Sequence, residues 1–229
     1  MNPKQNPAIG DFLKLRDQKP INNGEDRLVF IHPEDPNFVV KVIRPEVIDK
    51  RFGSGTKWYK RRRRYGRFIS YVRETQEYIA ASLAHEKPPV FLPKIVGFVE
   101  TDYGLGFINS AARRQSGEIA PNLRMLIKSG EFDIEARQNL HRFRNQILAS
   151  PIVIADLHAR NLVYAWNEKE GNHFILIDGF GSSTLIPLKQ ISVWANRRSK
   201  IKRFEYLEKQ IFDLHQKAEN PMSEFTSKE

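Results

Sequence analysis

The sequence predicts an α+β fold: a small antiparallel β lobe carrying one helix, followed by a mainly helical lobe. Three observations predict it. Short β-branched and aromatic runs separated by turn clusters occupy residues 27–43 and 95–109. One amphipathic helical period stands between them, over residues 61–85. Beyond residue 120 helical periods dominate and are interrupted by a single hairpin pattern. The division expected is an arm at 1–20, a β lobe at 21–109, a minimal helical lobe at 110–215 and a polar tail at 216–229.

Residues 1–20 carry Pro3, Pro7 and Pro20 and few paired apolar positions, which predicts a loose arm. Asn22 to Ile31 reads as a turn feeding a strand, and His32 to Asn37 as a second turn feeding the strand Phe38–Ile43. Lys41 sits in that strand among Val39, Val40, Val42 and Ile43, where an ammonium is costly to bury without a partner. It is either an edge-strand lysine facing solvent or a functional cation.

Residues 57–67 combine seven basic with three aromatic residues, a mixture that suits phosphates and stacked bases as well as a solvated helix start. In the helix that follows, Tyr65, Phe68, Ile69, Val72, Ile79 and Leu83 share one face. Tyr71, Glu74, Tyr78 and Ala81 share another. A helix apolar on two faces is expected to be sandwiched, and Glu74 then needs a cationic partner, for which Lys41 is the candidate and Glu77 the competing acid. The prolines of Lys87 to Pro93 end the helix, and Ile95–Glu100 with Gly104–Asn109 read as a strand pair turning at Thr101–Tyr103, completing five strands.

Asn122–Ser129 and Ile134–Ala149 read as helices, the second capped by Asp133, with Leu140, Phe143 and Ile147 on one face and Pro151 stopping it. Two β-branched runs follow, Ile152–Ile154 and Phe174–Ile177, read as buried strands. Each leads into an aspartate, Asp156 and Asp178, and Asn161 follows the first. Leu162–Ala165 and Phe174–Ile177 flank Asn167–Gly171 as a hairpin that would bring Asn161 near Asp178. Phosphoryl transfer needs a loop carboxylate to orient and deprotonate a hydroxyl, and a carboxylate with a carboxamide as hard magnesium ligands. Asp156, Asp178 and Asn161 supply all three. Two strand-end aspartates capping turns are the plainer alternative. Within the loop, a lone His158 is expected to pack or hydrogen-bond rather than ligate metal, and Arg160 is a secondary candidate for neutralising phosphate charge.

These residues resemble the catalytic and magnesium loops of the protein-kinase-like superfamily, including its small-molecule kinases. More closely, Ile177–Leu188 and His32–Pro36 are similar to the YrbL family, bacterial proteins named for the PhoP regulatory network. The likeness runs from roughly Gly24 to Phe212. It implies a bilobal kinase-like fold, ATP and Mg²⁺ as cofactors, and the roles of catalytic base for Asp156 and metal ligands for Asn161 and Asp178. It implies further that Lys41 grips the α- and β-phosphates, that Glu74, through the Arg73–Glu74 pair, positions Lys41, that the turn at Gly24 covers the phosphates, and that Asn109–Ala112 form the hinge touching adenine. The chain departs from protein kinases in having the single glycine Gly24 in that turn and no long activation segment ending in Ala-Pro-Glu. Leu188–His215 read as two basic helices around Trp194, Ile201, Phe204, Leu207 and Ile211.

A net charge of +10, from 37 basic and 27 acidic residues, favours anionic partners: nucleotide, phosphorylated substrate, nucleic acid or a membrane surface. The absence of cysteine excludes a disulfide scaffold and cysteine-ligated zinc. No stretch approaches the about 18 continuous apolar residues of a membrane span, and the first residues lack an apolar signal segment, so the expected compartment is the cytoplasm. The leading reading is an ATP- and Mg²⁺-dependent phosphotransferase whose hydroxyl substrate is a small molecule or glycan. The alternatives are a pseudokinase-type scaffold that binds nucleotide or a partner without turnover, and a basic nucleic-acid-binding protein using residues 57–67 and 197–203.

Overall fold

The computed structural model describes residues 12–53, 55, 64–85, 87–181 and 192–219. The chain divides into two compact units, one holding the described residues up to Thr75 with Lys94–Ala111, the other Gln76–Pro93 with the residues from Ala112 onward.

The first unit is a five-stranded antiparallel sheet in the order β1-β2-β3-β5-β4, built from β1 (Asn22–Asn23), β2 (Arg27–Ile31), β3 (Phe38–Ile43), β4 (Ile95–Thr101) and β5 (Gly104–Ser110). Strict alternation decides what each face carries. Val40, Val42 and Ile108 meet Leu13, Leu15, Phe30 and Val99 on one face. Ile43 and Phe107 meet Tyr71 on the other. Gly106 lies where a Cβ would come 2.8 Å from Val40 Cγ1, so the first face closes only over a glycine.

The described part of the expected loose arm is packed instead. Leu13 is 3% exposed and Leu15 fully buried, Leu13 bridges Thr101 in parallel, and the Asp102 carboxylate accepts the Leu15 and Arg16 amides at 3.0 Å. A turn acid facing two unpaired N–H groups anchors the segment, a contact that proline content does not reveal. Residues 1–11 lie outside the described residues.

After β3, α1 (Pro45–Phe52) was not anticipated, although Pro45 at its first turn and Glu46 beside it are start signals. Residues 57–63 lie outside the described residues. The helix expected over 61–85 is α2 (Ile69–His85), entered through a 3₁₀ turn at Gly66–Phe68. Gly66 has φ +45°, which ends any continuous helix before Phe68. Nor is α2 sandwiched: Ile79 and Leu83 are 60% and 82% exposed, whereas Tyr71, Glu74, Glu77 and Ala81 are buried. The buried face is the one carrying the acids, because each acid finds a buried donor.

The second unit contains α3 (Leu123–Lys128), α4 (Ile134–Ala149), the hairpin β6 (Leu162–Asn167) with β7 (Gly171–Leu176), and α5 (Val193–Glu219). Asn122 and Asp133 cap α3 and α4 by accepting the Met125 and Ala136 amides at 2.9 and 2.8 Å. Leu126, Ile127, Phe143, Ile147, Phe174, Phe204 and Leu207 form the core. Two basic helices were expected after Leu188; the described part, from Ser192, is one 27-residue helix running into the expected polar tail. Residues 182–191 and 220–229 lie outside the described residues, and Trp194, expected in the core, is 69% exposed.

Ile152–Ile154 do not form a strand, and only Ile154 makes a bridge, to Phe180. Side chains take over the backbone pairing of this buried segment. Glu77 accepts the Val153 amide at 2.7 Å, and the Asn196 carboxamide donates to the Pro151 and Ile152 carbonyls at 2.9 and 3.1 Å. Lys200 donates to the Ile147 and Ser150 carbonyls at 2.8 and 2.6 Å, and burial pushes its pKa from 10.5 down to about 8.

Candidate functional site

Within the first unit, β2 and β3 pair so that Val29 faces Lys41 and Arg27 faces Ile43, which puts Arg27 and Lys41 on the same side of the sheet. Glu74 of α2 receives both. Its Oε2 lies 3.2 Å from Lys41 Nζ, and its Oε1 pairs with Arg27 Nη1. All three are nearly inaccessible, with Glu74 at 2%, Lys41 at 5% and Arg27 at 6%. One carboxylate thus pairs with two buried cations, each of which would be costly to bury without it. The Tyr71 hydroxyl, its pKa pushed well up by burial, donates to the Lys41 carbonyl at 3.0 Å and fixes that point of β3 from below.

Arg27 was not singled out from the sequence. The period-2 reading of β2 against β3 contained the signal, since a basic residue in register with the Lys41 face of a half-buried sheet also needs an acid. Gly24 occupies the turn from β1 to β2, its carbonyl accepts Arg44 Nη1 at 3.1 Å, and a Cβ there would sit 3.2 Å from the Arg27 carbonyl. In the expected hinge, the Ser110 and Ala111 amides donate to the Lys94 and Asn37 carbonyls at 2.8 and 2.7 Å, so these two donors are committed within the unit.

In the second unit the chain at Val153–Asp156 lies antiparallel to Gly179–Gly181. The Ala155 and Asp156 amides both donate to the Gly179 carbonyl, at 2.9 and 2.8 Å, and the Gly181 amide donates to the Val153 carbonyl at 2.7 Å. Gly179 has φ +84°, and a Cβ there would stand 2.0 Å from the Asp156 carbonyl oxygen and 3.1 Å from Asn161 Nδ2. The close approach therefore requires glycine at this position. Asn161 is tied to both loops: its backbone carbonyl accepts the Ile177 amide at 2.9 Å, and its Nδ2 points at Asp156 Oδ2 from 3.5 Å. The amide end faces Asp156, which turns the Asn161 carbonyl oxygen the other way. Asp178 Oδ1 accepts the following Gly179 amide at 2.6 Å.

Among the described residues no group of three or more His, Asp or Glu side chains could hold a metal. The donor set here is instead one carboxylate, Asp178, and one carboxamide oxygen, Asn161. That set fits Mg²⁺, which takes one or two carboxylates from a protein and completes its octahedron with phosphate oxygens and water. It does not fit a dedicated transition-metal site.

His158 is no metal ligand in this geometry. Its Nε2 lies 2.9 Å from Asp156 Oδ1 and its Nδ1 2.9 Å from the Gln210 carboxamide nitrogen, so both ring nitrogens are engaged. Gln210, like Glu77, lies far from the loop in sequence and carried no signal for it. Arg160 is exposed at the turn before Asn161. As for the basic runs, Lys200 faces the core rather than solvent, while Arg198 stacks on Trp194 with its guanidinium carbon 5.3 Å from the ring centre. Among the described residues no helix is long and apolar enough to cross a membrane.

The chain is similar to the YrbL proteins of Escherichia coli (strain K12) and Shigella flexneri, 23% identical to each over 186 residues that span 80% of either chain. It also aligns with the crystal structure of the PknI kinase domain of Mycobacterium tuberculosis at a TM-score of 0.42 and 14% identity, over 70% of this chain and 56% of that one. A family model described as PhoP regulatory network protein YrbL matches residues 13–212, and with that match over most of its length the chain belongs to the YrbL family.

Proposed function

We propose that the protein is an ATP- and Mg²⁺-dependent phosphotransferase acting on a hydroxyl group of a small-molecule or glycan substrate. The observation that supports the reading is the pairing of Val153–Asp156 with Gly179–Gly181, with Asn161 bonded to both loops, which draws together the segments that carry Asp156, Asn161 and Asp178. Bound Mg²⁺ would supply charge neutralisation on the triphosphate, held by Asp178 and Asn161. Asp156 accepts the substrate hydroxyl proton as the hydroxyl oxygen bonds to the terminal phosphorus and the bond to the bridging oxygen breaks, releasing ADP. Lys41, oriented by Glu74, and Arg27 beside it offset phosphate charge. The sequence after Gly181 shows no long activation segment ending in Ala-Pro-Glu, which supports a non-protein substrate.

A second reading, a scaffold that binds nucleotide or a partner without turnover, is favoured by the committed Ser110 and Ala111 amides and by the single glycine, Gly24, in the phosphate turn. The Asp156→Asn variant separates the two. For a phosphotransferase, ATP consumption falls by roughly 10²–10⁴-fold, as for loss of a general base, while stabilisation by Mg²⁺-ATP persists. A variant that consumes ATP at the wild-type rate, or a wild type that consumes none, favours the scaffold.

A further inference from the structure

We propose that His158 is a positioning residue for Asp156, held by Gln210 so that its Nε2 hydrogen is presented to the Asp156 carboxylate; the inference rests on the reading of Asp156 as the proton acceptor. The Ala159 backbone amide can only donate, and it points at Gln210 Oε1 from 3.1 Å, which settles which end of that carboxamide is oxygen. The other end, an NH₂ group, therefore faces His158 Nδ1 at 2.9 Å and donates to it. A hydrogen on Nδ1 would confront the hydrogens of the amide, so the ring hydrogen sits on Nε2. From there it is donated to Asp156 Oδ1 at 2.9 Å.

The ring plane is held as well. Tyr206, one helical turn before Gln210 on α5, meets the His158 ring edge-on at 5.5 Å and 79°. Thus one face of α5 supplies both the donor that selects the tautomer and the ring that fixes its plane. With Asn161 Nδ2 on Oδ2, each Asp156 oxygen has one donor from its own loop, and each keeps lone pairs for an incoming hydroxyl. The arrangement resembles the orienting of one catalytic side chain by another through a fixed tautomer, here with a carboxylate as the group being aimed.

The test uses the full chain labelled with ¹⁵N-histidine. Long-range ¹H–¹⁵N spectra report the tautomer, with the His158 signals identified by their loss in His158→Asn. The expected result is a hydrogen on Nε2 in the wild type, replaced by a tautomer mixture in Gln210→Leu. In parallel, both variants are expected to lower kcat for ATP consumption roughly tenfold or more with KM for Mg²⁺-ATP unchanged, and the double variant to be no slower than His158→Asn. A purely structural role would move melting temperature without this split. A hydrogen on Nδ1 in the wild type, or a wild-type kcat in His158→Asn, overturns the proposal. A wild type without turnover whose His158 holds the fixed tautomer instead overturns the phosphotransfer reading and leaves the clasp on Asp156 supported.

Discussion

Glu74→Leu is expected to destabilise the protein by about 3–5 kcal/mol, because it strips the shared carboxylate from two buried cations at once. Lys41 and Arg27 are 5% and 6% exposed, so neither can recover hydration without opening the sheet face on which it stands. The companion variant carrying Arg27→Leu and Lys41→Met together with Glu74→Leu is expected to regain most of that loss, since an apolar cluster of similar volume does not need the carboxylate. Denaturant unfolding followed by circular dichroism reads both. Equal destabilisation of single and triple variants would mean that Glu74 matters for packing and not as a counter-ion. The triple variant also isolates the functional use of the cluster, because it should fold and still lose affinity for nucleotide.

Gly179→Ala is the second large effect. At φ +84° an alanine is strained by about 1 kcal/mol or more. The greater cost is steric, since its Cβ would sit 2.0 Å from the Asp156 carbonyl oxygen and the two chain segments would have to separate. Separation sacrifices the bonds from Ala155 and Asp156 to the Gly179 carbonyl, so a total of about 3 kcal/mol or more is expected. The same movement disperses Asp156, Asn161 and Asp178. Thermal unfolding should therefore show a lower melting temperature together with no response to Mg²⁺-ATP. A variant as stable as the wild type would contradict the close approach of the two loops.

Much of the fold was legible because local signals and burial agreed. The strand Phe38–Ile43, the strand pair turning at Thr101–Tyr103, the helix Ile134–Ala149 with its Asp133 cap and the hairpin after Asn161 all follow from period, turn chemistry and caps. The proximity of Lys41 to Glu74 was legible for a different reason: a lysine in a buried strand and a glutamate on a buried helix face each need a partner. What escaped was set by tertiary contacts. Ile152–Ile154 has strand composition, yet Glu77 and Asn196 take its backbone groups. Leu13 and Leu15 sit in a proline-containing segment, yet Asp102 anchors it. Ile79 and Leu83 have helical spacing but remain exposed, because periodicity does not say which of two faces finds a neighbour. Gln210 reaches His158 from half a hundred residues away, a distance over which no local pattern carries information.

In the proposed phosphotransferase, Asp178 and Asn161 hold the magnesium of a bound nucleotide. Thermal unfolding with ATP, with and without Mg²⁺, in the wild type and in Asp178→Asn reads this assignment. Ligand binding to the folded state alone stabilises it, by about 2.7 kcal/mol at a concentration one hundred times Kd. The expected result is a Mg²⁺-dependent rise in the wild-type melting temperature that Asp178→Asn loses. No shift in the wild type at millimolar Mg²⁺-ATP, or an equal shift in the variant, would contradict it.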